Sequence, residues 1–223
     1  MTARAAGFVP PPYPYDRLDD LKVEAEALPG GCVDLSIGTP TDPALPAALA
    51  AMSGSGAERG YPPSIGTPDV RKAISGWMQR RLSVDVSAEH VAVCVGTKEF
   101  VATLPQWLKL RDPQRDTVLY PAISYPTYEM GAILAGCRAV PVPVDSHWRI
   151  DLAAIDPDDA RRALCLWVNS PGNPTGAIDD LAAAARWGRE HDVTVFSDEC
   201  YVEYTWDDDR RDTILRYGLE GLV

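Results

Sequence analysis

Residues 163–201 read ALCLWVNSPGNPTGAIDDLAAAARWGREHDVTVFSDECY, and the order of signals in this stretch decides the fold. Ala163 to Val168 is a short, unbroken apolar run, which suits a strand covered on both faces. Asn169 to Gly176 then places two asparagines, two prolines and two glycines within eight residues, the makeup of a rigid turn. Asp179 to His191 follows as a helix, and Val193 to Phe196 as a second apolar strand. Strand, helix, strand is the unit of a parallel sheet, because parallel neighbours need a long crossover and a helix supplies it.

Working outward, the same alternation continues upstream. Val91–Val95, Thr117–Tyr120 and Arg138–Pro143 read as strands, and Lys98–Leu110, Thr127–Ala135 and Asp156–Arg162 as helices. The expectation is an α/β fold with a largely parallel sheet and helices on both faces. Residues 8–46 are rich in proline and glycine and read as an arm, with a short helical piece around Leu18–Leu28 and one short strand within 33–40. A small helix is expected over Ala44–Met52, and a longer one over about Pro68–Leu82, where Thr67 is a natural N-cap and Pro68 suits the first turn. Residues 1–43 are thus expected to form an arm and small-domain segment, and 44–223 one large domain.

The chain has 223 residues, 46% hydrophobic and 24% charged, enough to bury a core. Its formal charge of -11 is opposite to what a phosphate-backbone binder needs, so nucleic acid is not expected as a partner. Met1 to Pro12 has one arginine and no apolar signal region, and no apolar run reaches the roughly 18 residues of a membrane helix. A cytoplasmic protein with no membrane partner is expected. The cysteines at 32, 94, 137, 165 and 200 stand singly, several in apolar runs, and are expected to be small buried hydrophobes and not disulfides or zinc ligands. The three histidines are equally scattered, and no metal site is expected.

In sheets of this kind ligands lie at the carboxyl ends of the strands, so the residues that follow each strand matter most. Gly96-Thr97-Lys98-Glu99 opens a helix directly after a strand. Free backbone N–H groups at such a start suit a phosphate, although a plain tight turn has the same appearance. Tyr125 and Tyr128 follow the next strand, where a ring stacks on a flat heterocycle or packs beneath a loop. The Asn169–Gly176 turn holds its two asparagines rigidly, as an amide aimed at one ligand oxygen requires, although a purely structural turn has a related makeup. Asp198 and Tyr201 end the last strand, spaced to face one crevice.

Together these pieces resemble the class I/II aminotransferases, the fold-type-I pyridoxal-phosphate enzymes, over almost the whole chain. The resemblance rests on Ser36-Ile37-Gly38-Thr39-Pro40, Gly60-Tyr61-Pro62, Gly66-Thr67-Pro68, Gly96-Thr97-Lys98-Glu99, Tyr125-Pro126-Thr127-Tyr128, Asn173-Pro174-Thr175-Gly176 and Ser197-Asp198-Glu199-Cys200-Tyr201. It implies pyridoxal 5'-phosphate as cofactor, with Asp198 on the pyridine nitrogen, Asn173 and Tyr201 on the ring 3-oxygen, and Tyr125 stacked on the ring. Gly96, Thr97 and Lys98 would cradle the phosphate, Tyr61 would reach the phosphate of a neighbouring subunit in a homodimer, and Gly38 with Asn173 would meet the substrate. An amino or keto acid substrate is implied, with glutamate as amino donor. The local wording is most similar to the branch that aminates N-succinyl-2-amino-6-oxopimelate in lysine and diaminopimelate synthesis.

The resemblance also implies a Schiff-base lysine about thirty residues beyond the Asp-x-x-Tyr element, joining covalent and general-base roles. Only 22 residues follow Tyr201 and none is lysine, so no catalytic residue is assigned. The expectation is the N-terminal portion of such an enzyme, its large domain incomplete, with little or no activity alone. Two other readings fit the same residues: a non-catalytic module for pyridoxal phosphate or phosphate, and a β-lyase-type pyridoxal-phosphate enzyme.

Overall fold

A computed structural model describes Phe8 and residues 12–35, 37–38, 40–56, 59–206 and 210–218. Helices α1 (Asp19–Glu26), α2 (Pro46–Ser53) and α3 (Pro68–Leu82) precede α4 (Thr97–Arg111). Thr67 caps α3 as expected: its Oγ1 accepts from Val70 N at 3.3 Å, and Pro68 occupies the first turn. The alternating part then runs β1 (Thr117–Pro121), α5 (Thr127–Leu134), β2 (Arg138–Val142), α6 (Pro157–Arg162), β3 (Ala163–Asn169), α7 (Leu181–His191) and β4 (Thr194–Asp198).

The four strands form one sheet in the order β2-β1-β3-β4, every pair parallel. All seven residues of β3 are buried, because it pairs on both sides and is covered on both faces. Its side chains alternate. Leu166 and Val168 join Leu119 and Val195 under Leu181, Ala184 and Ala185 of α7. Cys165 and Trp167 join Val118, Tyr120 and Phe196 under Val101 and Leu104 of α4 and Tyr128 and Ala132 of α5. Two glycines set how closely the helices approach. A Cβ at Gly188 would lie 2.5 Å from Val195 Cγ2 and 2.8 Å from the Val193 carbonyl oxygen, so only glycine lets α7 rest on β4. A Cβ at Gly131 would lie 3.0 Å from the carbonyl oxygens of Val101 and Ala102, where α5 crosses α4.

Four expectations need correction. Val91–Val95 is extended but is not a strand: beyond its own turn, Val93 N donates to the Ile65 carbonyl at 3.0 Å, and no ladder forms beside it among the described residues. An apolar run becomes a strand only if a neighbour completes the ladder, and Val91 is buried while Val95 is 91% exposed. The short strand expected within 33–40 is absent among the described residues 33–35, 37–38 and 40, which lie open at the surface; Ser36 and Thr39 lie outside the described residues. The cysteines divide: Cys165 is buried and Cys137 half-buried, whereas Cys32, Cys94 and Cys200 are exposed. Cys94 is exposed because its apolar run is not enclosed in the sheet. Helix α7 begins at Leu181, two residues later than expected, since the Asp180 carboxylate caps it through Ala183 N at 2.8 Å.

Candidate functional site

β3 and β4 end side by side, with Asn169 in register with Asp198. The Asp198 carbonyl accepts from Ser170 N at 3.2 Å and from Asn169 Nδ2 at 2.9 Å, which locks the two strand ends together. Asn169 Oδ1 in turn accepts from Asn173 N at 2.7 Å, so the turn that follows β3 folds back over the strand ends. Asn173 Nδ2 thereby comes within 3.4 Å of the Tyr201 hydroxyl. The Asp198 carboxylate is held on both oxygens: Oδ2 accepts from the Tyr128 hydroxyl at 2.8 Å and Oδ1 from Cys200 N at 3.2 Å.

These groups share one cleft of about 220 Å³ with the start of α4, lined among others by Thr97, Lys98, Tyr125, Asn173, Asp198 and Tyr201. Gly96 is the N-cap of α4 and supplies no side-chain cap, so the first-turn amides of a 15-residue helix are left to meet an anion. A hollow of about 640 Å³ between α3 and β4 is larger, but it is lined chiefly by apolar groups such as Ile74, Trp77, Met78 and Val91. The smaller cleft is the candidate site because an acid, an amide, phenols and a helix start converge there.

Six of the nine residues given a cofactor or substrate role thus line one cleft, and Gly96 caps the helix beside it. Tyr61 and Gly38 do not line it: Tyr61 is fully exposed at the surface, and no atom stands within 4 Å of a Cβ placed on Gly38. Three residues gain places beyond those expected of them: no role was expected of Asn169 or Tyr13, and Tyr128 was expected either to stack on a heterocycle or to pack beneath a loop. Asn169 and Tyr128 hold the site's frame, as above. Tyr13 of the arm lies against Lys98, whose Nζ donates to the Tyr13 hydroxyl at 3.1 Å and sits 4.6 Å from its ring centroid. Asn169 stood in the quoted turn and Tyr128 in the tyrosine motif, whereas nothing in the sequence tied Tyr13 to residue 98. The bond to Tyr13 raises the proton affinity of Lys98, which keeps it an ammonium and a poor nucleophile.

Asp179 fastens the same turn from behind. Its Oδ1 accepts from Ile150 N at 2.9 Å, and its N donates to Ser170 Oγ at 3.1 Å. Burial pushes its carboxyl up from the ordinary 3.8 to about 6, against the opposing bond from Ile150. The fold therefore prefers the protonated form, so this contribution to stability is complete below about pH 4 and is lost as pH rises through about 6. Asp179→Asn is expected to be more stable than the parent at pH 8, by on the order of 2 kcal/mol, and by much less at pH 4. Thermal unfolding at the two pH values checks this, and an equal difference at both would refute it.

A crevice of converging polar groups at the carboxyl ends of parallel strands defines a ligand site of the open α/β class. The chain belongs to the family described as aminotransferase class I and II, whose sequence profile matches residues 30–221. That family is dependent on pyridoxal phosphate. The chain is 36% identical over 200 residues to the 4-dedimethylamino-4-oxo-anhydrotetracycline transaminase of Streptomyces rimosus, covering 88% of this chain and 52% of that protein. It is 36% identical over 206 residues to the LL-diaminopimelate aminotransferase of Desulforudis audaxviator, again covering 88% and 52%. The structure of a probable N-succinyldiaminopimelate aminotransferase from Thermus thermophilus matches with a TM-score of 0.80 at 26% identity, covering 93% of this chain and 58% of that one. The chain spans about half the length of the curated relatives it matches. Among the described residues, no helix is long and apolar enough to cross a membrane.

Proposed function

We propose that this chain carries most of the binding crevice for pyridoxal 5'-phosphate in an aminotransferase that uses glutamate as amino donor, with N-succinyl-2-amino-6-oxopimelate as acceptor. The observation that carries the reading is the convergence of Asn173, Asp198, Tyr201, Tyr125 and the uncapped start of α4 on one small cleft. The donor set fits the group. It offers a carboxylate for a ring N–H, an amide and a phenol 3.4 Å apart for a ring oxygen, and a helix start for a phosphate.

In this reading Asp198 pairs with the pyridine nitrogen and keeps it protonated. Asn173 and Tyr201 hold the 3-oxygen, Tyr125 covers one ring face, and Gly96, Thr97 and Lys98 hold the phosphate. When bound, the cofactor supplies an electron sink for the substrate. Gly38, having no side chain, leaves room for the substrate carboxylate. Tyr61, exposed on its own chain, serves the phosphate of a neighbouring subunit in a homodimer. The acceptor is supported by the local wording of the motifs and by the diaminopimelate-related names among the relatives.

The chain alone is proposed to bind and not to turn over. Of its four lysines, 22, 72, 98 and 109, only Lys98 lines the cleft, and its ammonium is engaged by Tyr13. Pyridoxamine 5'-phosphate, which forms no imine with surface lysines, is the suitable probe. Calorimetric titration is expected to show one site per chain, with no amino transfer from glutamate to a 2-oxo acid by the chain alone. Absence of saturable binding would overturn the reading.

A further inference from the structure

The geometry points to Tyr128 as a positioning residue for this cofactor: its hydroxyl holds the Asp198 carboxylate in the direction from which that carboxylate meets the ring nitrogen. The inference rests on the cofactor reading above and adds a residue that acts through Asp198.

Tyr128 is fully buried, and its hydroxyl donates to Asp198 Oδ2 at 2.8 Å. The ring cannot swing away. It stacks on Trp167 with centroids 5.2 Å apart and planes 26° apart, and Tyr125 meets its edge at 6.2 Å. Trp167 leans on Phe196 at 5.3 Å, and Phe196 lies on β4 two residues before Asp198. The stack therefore ties the donor on α5 to the strand that carries the acceptor. Cys200 N takes the other carboxylate oxygen at 3.2 Å, so both oxygens are fixed. A carboxylate so held need not reorganise when a cationic ring arrives, and preorganisation of this kind is what makes a charged hydrogen bond effective in a partly buried cleft.

The direction of the bond is also set. Burial, and next the neighbouring Asp198 carboxylate, push the Tyr128 phenol far above its ordinary range, so the proton stays on Tyr128. Tyr128 donates and Asp198 accepts, which leaves the negative charge on Asp198 for the ring.

The test compares two ligands on the same proteins: pyridoxamine 5'-phosphate, and its deaza analogue with C–H in place of the ring nitrogen. Tyr128→Phe keeps the stack and removes one hydroxyl. Loss of a hydrogen bond to a charged group is expected to weaken pyridoxamine phosphate about five- to tenfold, while affinity for the deaza analogue stays within about twofold. Any loss of folded protein affects both ligands alike, so their ratio isolates the effect on the ring nitrogen. Unchanged affinity for pyridoxamine phosphate, or an equal loss for both ligands, would overturn the assignment of Tyr128 alone. Failure of the parent chain to bind pyridoxamine phosphate would remove the cofactor reading and the assignment together.

Discussion

Asp198→Ala is expected to lower the affinity of the chain for pyridoxamine 5'-phosphate by about thirty- to a hundredfold, the largest effect of any single change in the cleft. A charge-assisted hydrogen bond contributes roughly 1.5–3 kcal/mol, and truncation adds the cost of what the carboxylate leaves behind. The Tyr128 hydroxyl and Cys200 N both lose their acceptor, and Tyr128 is fully buried. Asp198→Asn separates charge from geometry. An amide oxygen still accepts from Tyr128, but it no longer stabilises a protonated ring nitrogen, so it should recover little of the affinity. The measurement is calorimetric titration at neutral pH beside a melting curve for each variant. Parent-like affinity in a folded Asp198→Ala chain would show that the ring nitrogen does not meet this residue.

The second large effect is on stability. Trp167→Ala is expected to cost about 3–5 kcal/mol, read from denaturant unfolding. Trp167 is 2% exposed on the central strand, between Tyr128 at 5.2 Å and Phe196 at 5.3 Å, so its removal leaves a hollow that two large rings cannot close without moving. Because Tyr128 then loses the surface that fixes its ring, pyridoxamine phosphate affinity should fall as well. Trp167→Phe keeps an aromatic face and is expected to lose less than half as much stability. A cost for Trp167→Ala below about 1 kcal/mol would show that the stack does not support the sheet.

The hollow between α3 and β4 and the extended run Val91–Val95 share one physical origin. β4 is an edge strand among the described residues, and the Val91–Val95 run has no ladder beside it. Apolarity predicts that a segment avoids water, but it does not say which backbone completes its hydrogen bonds. The same limit explains Cys94 and the arm segment. Local pattern marked Cys94 as enclosed and the arm segment as partly a strand, and both enclosure and strand pairing depend on what stands opposite.

Other elements were readable in the sequence with errors of one or two residues. The near-continuous apolar runs at 117–120 and 163–168 became β1 and β3, and the helices between strands became α5, α6 and α7. These succeed because parallel strands buried on both faces must be largely apolar, and because a cap such as Thr67 acts within a single turn.

For the site, the identity and order of Gly96, Tyr125, Asn173, Asp198 and Tyr201 were sufficient to name the family, since each stands at a strand end or helix start and so at one rim of a parallel sheet. That much is a property of the chain taken in order. The links among them were not legible, because they join residues far apart along the chain. Tyr128 reaches Asp198 across 70 positions, and Lys98 reaches Tyr13 across 85. Hydrogen-bond direction and ring stacking depend on distances of a few ångströms, and sequence spacing carries no information at that scale once the chain has turned back on itself. The sequence alone determined which groups the crevice contains; the tertiary structure decided which of them hold the others still.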